Sequence, residues 1–242
     1  MAIKRVSFKG VQINFSYLLV NKEKEKSILF LHGWGANKEL MKNSFGAFFK
    51  DYCHIYLDFP GFGGSSISEA MDSYDIKEAA EEFLRSINKA PQIIIGHSLG
   101  GKIALLLNPK ILILLSSAGI VLPKRFSVRF KIKLFKMFKF LGLGRLYTLF
   151  ASKDVKGMNI TMYETFKKVV NEDMSGHFKD YKGRAVIFWG KEDNTTPPAA
   201  ALKIKTFIKD STLHVLEGSH FFFLDKGKLI EELMTDILKD NK

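Results

Sequence analysis

Short apolar segments that end in glycine-rich or polar turns recur along this chain, and they constrain its fold more than any other feature. They are SILFLHGWG, HIYLDFPGFGGSS, IIIGHSLGG, ILILLSS and AVIFWG. Between and after them, apolar residues fall at helical spacing over 74–88, 198–209 and 227–239. Short apolar strands that alternate with helices predict βαβ units. We therefore predict an α/β fold with a mostly parallel sheet flanked by helices on both faces.

One section interrupts this alternation. From about residue 120 to residue 183 the sequence has helical patterns and no clear strand. We interpret this section as a helical cap, or lid, inserted between two strands of the sheet. The predicted organisation is an α/β core formed by residues 1–119 and 184–242, with residues 120–183 as the cap.

Length and composition limit the class of protein. A chain of 242 residues can bury a large core, and the single cysteine, Cys53, excludes an internal disulfide framework. No window offers about 18 uninterrupted apolar residues, so we expect no membrane span. The N-terminus carries charges where a signal peptide needs its apolar stretch, and we expect a cytoplasmic protein.

The stretch QIIIGHSLGGKIALLL places a serine at the junction of an apolar strand and a helix. Residues 96–100, GHSLG, fit the pattern G-x-S-x-G, in which a tight turn displays the central hydroxyl at a helix N-terminus. Gly96 and Gly100 leave room for the neighbouring backbone. A helix N-cap serine is the competing interpretation, because the pattern alone is weak. We predict that Ser98 is a nucleophile.

A serine hydroxyl needs a base to act as a nucleophile near neutral pH. His220, in EGSHFFFLD, follows the last predicted strand, at the edge of the sheet where α/β sites collect. His54 and His214 lie within strand patterns, and His177 lies in the insertion. His97 is expected to point away from the nucleophile at such a turn. We predict that His220 is the base.

A carboxylate must fix the tautomer of that base. Asp193 lies just past a predicted strand in VIFWGKEDNTTPP, where it fits the loop tip better than the adjacent Glu192. A turn cap is the competing interpretation. The order Ser98, Asp193, His220, each after a strand, is the order expected for a triad on an α/β-hydrolase sheet.

An oxyanion would need two backbone N–H donors. The residue after the nucleophile, Leu99, supplies the first of them. The segment LHGWG supplies the other, because Gly33 permits close backbone approach and Trp34 offers its N–H. We predict Trp34 and Leu99 as the oxyanion hole, and Gly33, Trp34 and Leu99 as substrate-binding positions. A mere tight turn is the competing interpretation of HGWG.

The chain resembles the α/β-hydrolase superfamily over essentially its whole length. The matching blocks, in order, are FLHGWG, LDFPGFGGSS, GHSLGG, WGKEDNTTP and EGSHFFFLD. The first two are most similar to pimeloyl-carrier-protein methyl esterases and to the C–C bond hydrolases of meta-cleavage pathways. The resemblance implies a nucleophile at Ser98, an acid at Asp193, a base at His220, and a lid over the site. It implies no metal or organic cofactor.

Charge is concentrated in the predicted lid. The net charge is +12, and positions 124–141, KRFSVRFKIKLFKMFKFL, form an amphipathic pattern with a basic face that includes Arg125, Arg129, Lys133 and Lys136. A lid helix packed over the pocket is the simplest interpretation. More specific interpretations are that the basic face binds an acidic carrier protein or that it attaches to an anionic membrane surface. No nucleic-acid motif accompanies the charge, so we expect no nucleic-acid partner.

These features predict a serine hydrolase that cleaves a small-molecule carboxylic ester or thioester. Hydrolysis of a C–C bond in a ring-fission dienoate is an alternative, because it can use the same residues. The other alternative is a non-catalytic binding protein built on a hydrolase fold.

Overall fold

The computed structural model describes residues 1–122 and 159–239. The strands are β1 Ala2–Phe8, β2 Val11–Val20, β3 Ser27–Leu31, β4 Cys53–Leu57, β5 Ile93–His97, β6 Ile111–Leu115, β7 Arg184–Gly190 and β8 Ser211–Leu216. They form one eight-stranded sheet in the order β1-β2-β4-β3-β5-β6-β7-β8. Strand β2 runs antiparallel to β1 and β4, and all other neighbours are parallel.

A tight hairpin joins β1 to β2. Its turn residues, Lys9 and Gly10, have φ angles of 48° and 82°, both in the left-handed region that two-residue hairpin loops favour. The register pairs Val6 with Ile13, and both side chains are buried.

Helices cover both faces of the sheet. They are α1 Lys38–Phe45, α2 Ser73–Ser86, α3 Leu99–Leu106, α4 Ile160–Val169, α5 Ser175–Asp180, α6 Pro198–Phe207 and α7 Gly227–Lys239, with a 3₁₀ turn at Phe222–Asp225. Residues of α2 to α6 pack in one core cluster, and residues of α1 and α7 pack in the other. The predicted α/β-hydrolase fold is confirmed.

The central strands contribute to both clusters. In β3, Leu29 and Leu31 face the cluster of α2 and α3, whereas Ile28 and Phe30 face that of α1 and α7. Successive side chains of a strand point to opposite faces, so a strand in a sheet with helices on both faces needs apolar residues at every position. This explains the unbroken apolar runs of the sequence.

The interruption of the alternation lies between β6 and β7, as predicted. Its described part holds α4 and α5, which pack on the same face of the sheet as α3. The boundaries at residues 119 and 184 remain a prediction. The amphipathic segment 124–141 lies outside the described residues. Among the helices that the structure describes, none is long and apolar enough to cross a bilayer.

Candidate active site

The turn between β5 and α3 holds Ser98 in a conformation that L-residues rarely adopt, with φ 51° and ψ −113°. A Cβ at Gly96 would collide with the carbonyl of Gly100, and a Cβ at Gly100 would collide with the carbonyl of Leu31. The two glycines therefore let the turn close against β3. The strained residue is the serine itself, which stands half-buried at the carboxyl end of the sheet.

The same edge of the sheet brings Asp193 and His220 together. Asp193 follows β7 and His220 follows β8, and His220 Nδ1 lies 2.8 Å from Asp193 Oδ2. The Asp193 side chain is fully buried, whereas 11% of the His220 side chain is exposed. With Nδ1 donating to the carboxylate, the Nε2 atom of His220 remains available to accept a proton.

Both oxygens of the Asp193 carboxylate accept hydrogen bonds. Oδ1 accepts from the backbone amides of Thr195 and Thr196, at 2.8 and 2.9 Å, and Oδ2 accepts from the Thr196 hydroxyl at 2.8 Å. Burial would raise the pKa of Asp193, but the hydrogen bonds from His220, Thr196 and Ser116 outweigh it and lower the pKa to about 2. The carboxylate is therefore ionised at neutral pH.

The loop after β3 is held by His32. Its Nδ1 donates to the carbonyl of Gly33 at 2.8 Å, and its Nε2 accepts from the amide of Phe59 at 3.1 Å. Because the Gly33–Trp34 peptide is trans, fixing this carbonyl also directs the Trp34 N–H to the opposite side. Burial lowers the pKa of His32 to about 4, so the ring stays neutral and keeps this tautomer.

Gly33 itself touches the turn that holds Ser98. A Cβ at this position would lie 2.8 Å from His97 Nδ1 and 3.1 Å from Ser98 Cβ, so the loop can approach Ser98 only with glycine here. Leu99 is the first residue of α3, and its N–H therefore has no acceptor within that helix. The two predicted oxyanion donors thus belong to segments packed against Ser98.

His97 supports the loop that holds His220. Its Nε2 lies 3.1 Å from the carbonyl of His220, to which it donates, and the two rings lie 4.6 Å apart. Burial, together with the charge of His220, lowers the pKa of His97 to about 3. The ring is therefore neutral and adds no positive charge beside His220.

A cavity of about 370 Å³ connects these groups. Of the residues predicted from the sequence, Ser98, His220, Trp34 and Leu99 line it, whereas Asp193 lies behind His220 and Gly33 lies behind Ser98. Phe166, Val169, Val170 and Phe221 contribute apolar surface to the rest of the wall, which also includes the polar residues His97, Lys102, Thr195 and Thr196. Across residues 1–122 and 159–239, no group of His, Cys, Asp and Glu side chains is arranged to hold a metal ion.

Several residues of the site were not predicted from the sequence. Thr196 lies within NTTPP, three residues after Asp193, so a search for hydroxyls near the predicted acid could have found it. His32 and His97 lie within the segments LHGWG and GHSLG, but their hydrogen-bond partners depend on the fold. Lys102 lies in the cavity wall, one helical turn after Ser98.

A mostly parallel sheet with a strained serine after β5 and a carboxylate–histidine pair after β7 and β8 defines the α/β-hydrolase class. The model of the alpha/beta hydrolase family matches residues 28–232, most of the chain, and the chain therefore belongs to that family. Family membership supports hydrolase chemistry at this site.

Solved structures have a similar fold, and a curated protein matches part of the chain. The structure of a bacterial membrane phospholipase A matches with a TM-score of 0.75 at 17% identity, and the match covers 99% of this chain and 86% of the phospholipase chain. The esterase EaEST of Exiguobacterium antarcticum matches with a TM-score of 0.73 at 21% identity, and the match covers 97% of this chain and 98% of the esterase chain. The 2-succinyl-6-hydroxy-2,4-cyclohexadiene-1-carboxylate synthase of Escherichia coli O157:H7 is 33% identical over 79 residues, 33% of this chain and 31% of that protein. The match thus spans about a third of the curated relative.

Proposed function

We propose that this protein is a serine hydrolase that cleaves a carboxylic ester or thioester through an acyl-enzyme on Ser98. One observation carries the proposal: Ser98 in its strained turn and His220, bonded through Nδ1 to the buried Asp193 carboxylate, line the same cavity. A helix N-cap serine would not need such a conformation, since N-cap residues ordinarily lie in the β region. A carboxylate that only capped a turn would not need His220.

In the first half-reaction, His220 Nε2 accepts the Ser98 proton while Ser98 Oγ attacks the substrate carbonyl carbon. The carbonyl oxygen becomes an oxyanion and receives hydrogen bonds from the Trp34 and Leu99 amides. As the tetrahedral intermediate collapses, the bond to the leaving group breaks and His220 returns the proton to the leaving group. The acyl group remains on Ser98.

In the second half-reaction, His220 Nε2 takes a proton from water, and the resulting hydroxide attacks the acyl carbon. Collapse of this intermediate returns the proton to Ser98 and releases the carboxylic acid. In both halves a positive charge forms on the His220 ring, beside an Asp193 carboxylate whose pKa of about 2 keeps it ionised. The neutral His97 ring does not oppose that charge.

The cavity wall favours an apolar acyl group. Apart from the reacting residues, Trp34, Phe166 and Val169 present mainly apolar surface, and the Trp34 and Phe166 rings lie 5.2 Å apart. Ester substrates agree with the names of the esterase and phospholipase to which the fold is similar.

Covalent labelling with a fluorophosphonate tests the proposal. The native protein should be labelled, Ser98→Ala should not be, and Ser86→Ala, a serine of α2 remote from the cavity, serves as the matched control. Absence of labelling in the native protein, or equal labelling of Ser98→Ala, would overturn the proposal and favour the non-catalytic alternative. Labelling without turnover of p-nitrophenyl esters or acyl thioesters, but with cleavage of a ring-fission dienoate, would favour the C–C bond hydrolase.

A further inference from the structure

An ion pair between a buried lysine and a half-buried glutamate lies beside Ser98. Lys102, the fourth residue of α3, is only 2% exposed and lies in the wall of the cavity. Its Nζ donates to Glu172 Oε2 at 2.7 Å and to the carbonyl of Val169 at 2.6 Å. A buried ammonium is costly unless it is paired and hydrogen-bonded, and both partners come from the described part of the insertion.

The hydrogen bond from Lys102 to Val169 lies at the C-terminus of a helix. Val169 is the last residue of α4, so its carbonyl is one of those that the helix cannot satisfy internally. A cation at this position also complements the negative end of the helix dipole. Lys102 therefore fixes the C-terminus of α4 against α3, the helix that directly follows Ser98.

Glu172 extends the connection to a third helix. Its Oε1 accepts from the backbone amide of Ser73 at 3.2 Å, and its Oε2 accepts from the Ser73 hydroxyl. Ser73 is the first residue of α2, where an acceptor for the free N–H and a negative charge are both favourable. One ion pair thus joins α3, α4 and α2.

The fixed segment forms the substrate wall. Phe166, Val169 and Val170, at or next to the C-terminal turn of α4, line the cavity, and Phe166 contacts the ring of Trp34. Replacing both members of such an ion pair with apolar residues of similar volume is often neutral or stabilising. Packing alone therefore does not account for a charge here, whereas a pair with fixed geometry determines where α4 lies.

We propose that Lys102 and Glu172 are positioning residues that set the α4 wall relative to Ser98 and thereby determine which acyl chain length the cavity accepts. This inference rests on the proposed function, because it concerns the substrate of the same site. The ion pair does not touch the reacting atoms.

Chain-length profiles of three variants test the inference. Lys102→Met, Glu172→Gln and the double variant are compared on p-nitrophenyl acetate, butyrate and octanoate. The matched controls are Lys167→Met and Glu164→Gln. They break an exposed ion pair on α4, in which Lys167 Nζ lies 2.6 Å from Glu164 Oε1. We expect the ratio of kcat/KM for the preferred chain to that for acetate to fall about tenfold in Lys102→Met, mainly through KM, because the wall is displaced.

The double variant separates positioning from stability. Lys102→Met leaves Glu172 without its cation and should lower Tm, whereas the double variant removes both charges and should recover much of it. Selectivity should remain lost in the double variant. Recovery of selectivity together with Tm would mean a merely structural role and would overturn the inference. A chain-length profile in Lys102→Met that matches both controls would also overturn it.

Fluorophosphonate labelling keeps the two proposals apart. Lys102→Met should still be labelled at Ser98, because the nucleophile, the base and the acid are unchanged. If the native protein is labelled but its variants keep the native profile, the inference fails and the proposed function stands. If the native protein is not labelled, the proposed function fails whatever the variants do.

Discussion

Asp193→Asn should inactivate the protein because of the way its carboxylate is held. Oδ1 accepts from two backbone amides, those of Thr195 and Thr196. Because backbone N–H groups can only donate, the amide oxygen of an asparagine must occupy the Oδ1 position, and its NH₂ must occupy the Oδ2 position. That NH₂ would then donate to His220 Nδ1, 2.8 Å away in the native protein.

The consequence is a change of tautomer. A neutral His220 that accepts at Nδ1 carries its proton on Nε2, and it can no longer take the proton of Ser98. Loss of the correct tautomer in a serine triad costs about 10⁴ in kcat. That factor corresponds to about 5 kcal/mol of transition-state stabilisation. We therefore expect kcat on p-nitrophenyl esters to fall about 10⁴-fold while the structure is preserved.

Steady-state kinetics on the best p-nitrophenyl ester measure this effect, with circular dichroism as the check on folding. Glu192→Gln is the matched control, because Glu192 is the adjacent acid and bonds to the amide of Gly218 without touching His220. It should retain nearly native kcat. A folded Asp193→Asn variant within tenfold of native activity, or equal losses in both variants, would refute the reasoning.

Two further predictions concern stability. Gly96→Ala should cost about 1–3 kcal/mol in urea unfolding, because its Cβ collides with the Gly100 carbonyl. Gly176→Ala, in α5 and facing open space, should be neutral or stabilising, and equal effects would contradict the packing argument. The pKa of Asp193 is lowered from 3.8 to about 2, so its contribution of about 2 kcal/mol is present above about pH 4 and is lost as pH falls towards 2. The stability advantage of the native protein over Asp193→Asn should therefore shrink between about pH 4 and pH 2, and an advantage independent of pH would contradict the assigned pKa.

The framework of the site could be predicted because it depends on strand ends. Ser98 directly follows β5, and Asp193 and His220 lie in the loops that follow β7 and β8; the carboxyl ends of parallel strands meet at one edge of the sheet. An apolar run with a polar residue after it is a local signal. It therefore reveals which side chains share that edge without any knowledge of the packing.

The supporting contacts could not be predicted, since they join residues far apart in the chain. His97 bonds to a carbonyl 123 positions away, and Lys102 pairs with a carboxylate 70 positions away. Each distance depends on how loops and helices pack on the sheet, for which the sequence has no local pattern.

Ser98 and the contacts that support its surroundings depend on different features of the same turn. Gly96 and Gly100 allow the chain to display Ser98, while His97 and Lys102, before and after it in the sequence, contact other parts of the fold: His97 the loop that holds His220, and Lys102 the insertion. A conservative change at His97 or Lys102 would leave Ser98, Asp193 and His220 in place but loosen their surroundings. Because productive geometry is sensitive to shifts of about 1 Å, we expect these two positions to affect rate and selectivity although neither takes part in proton transfer.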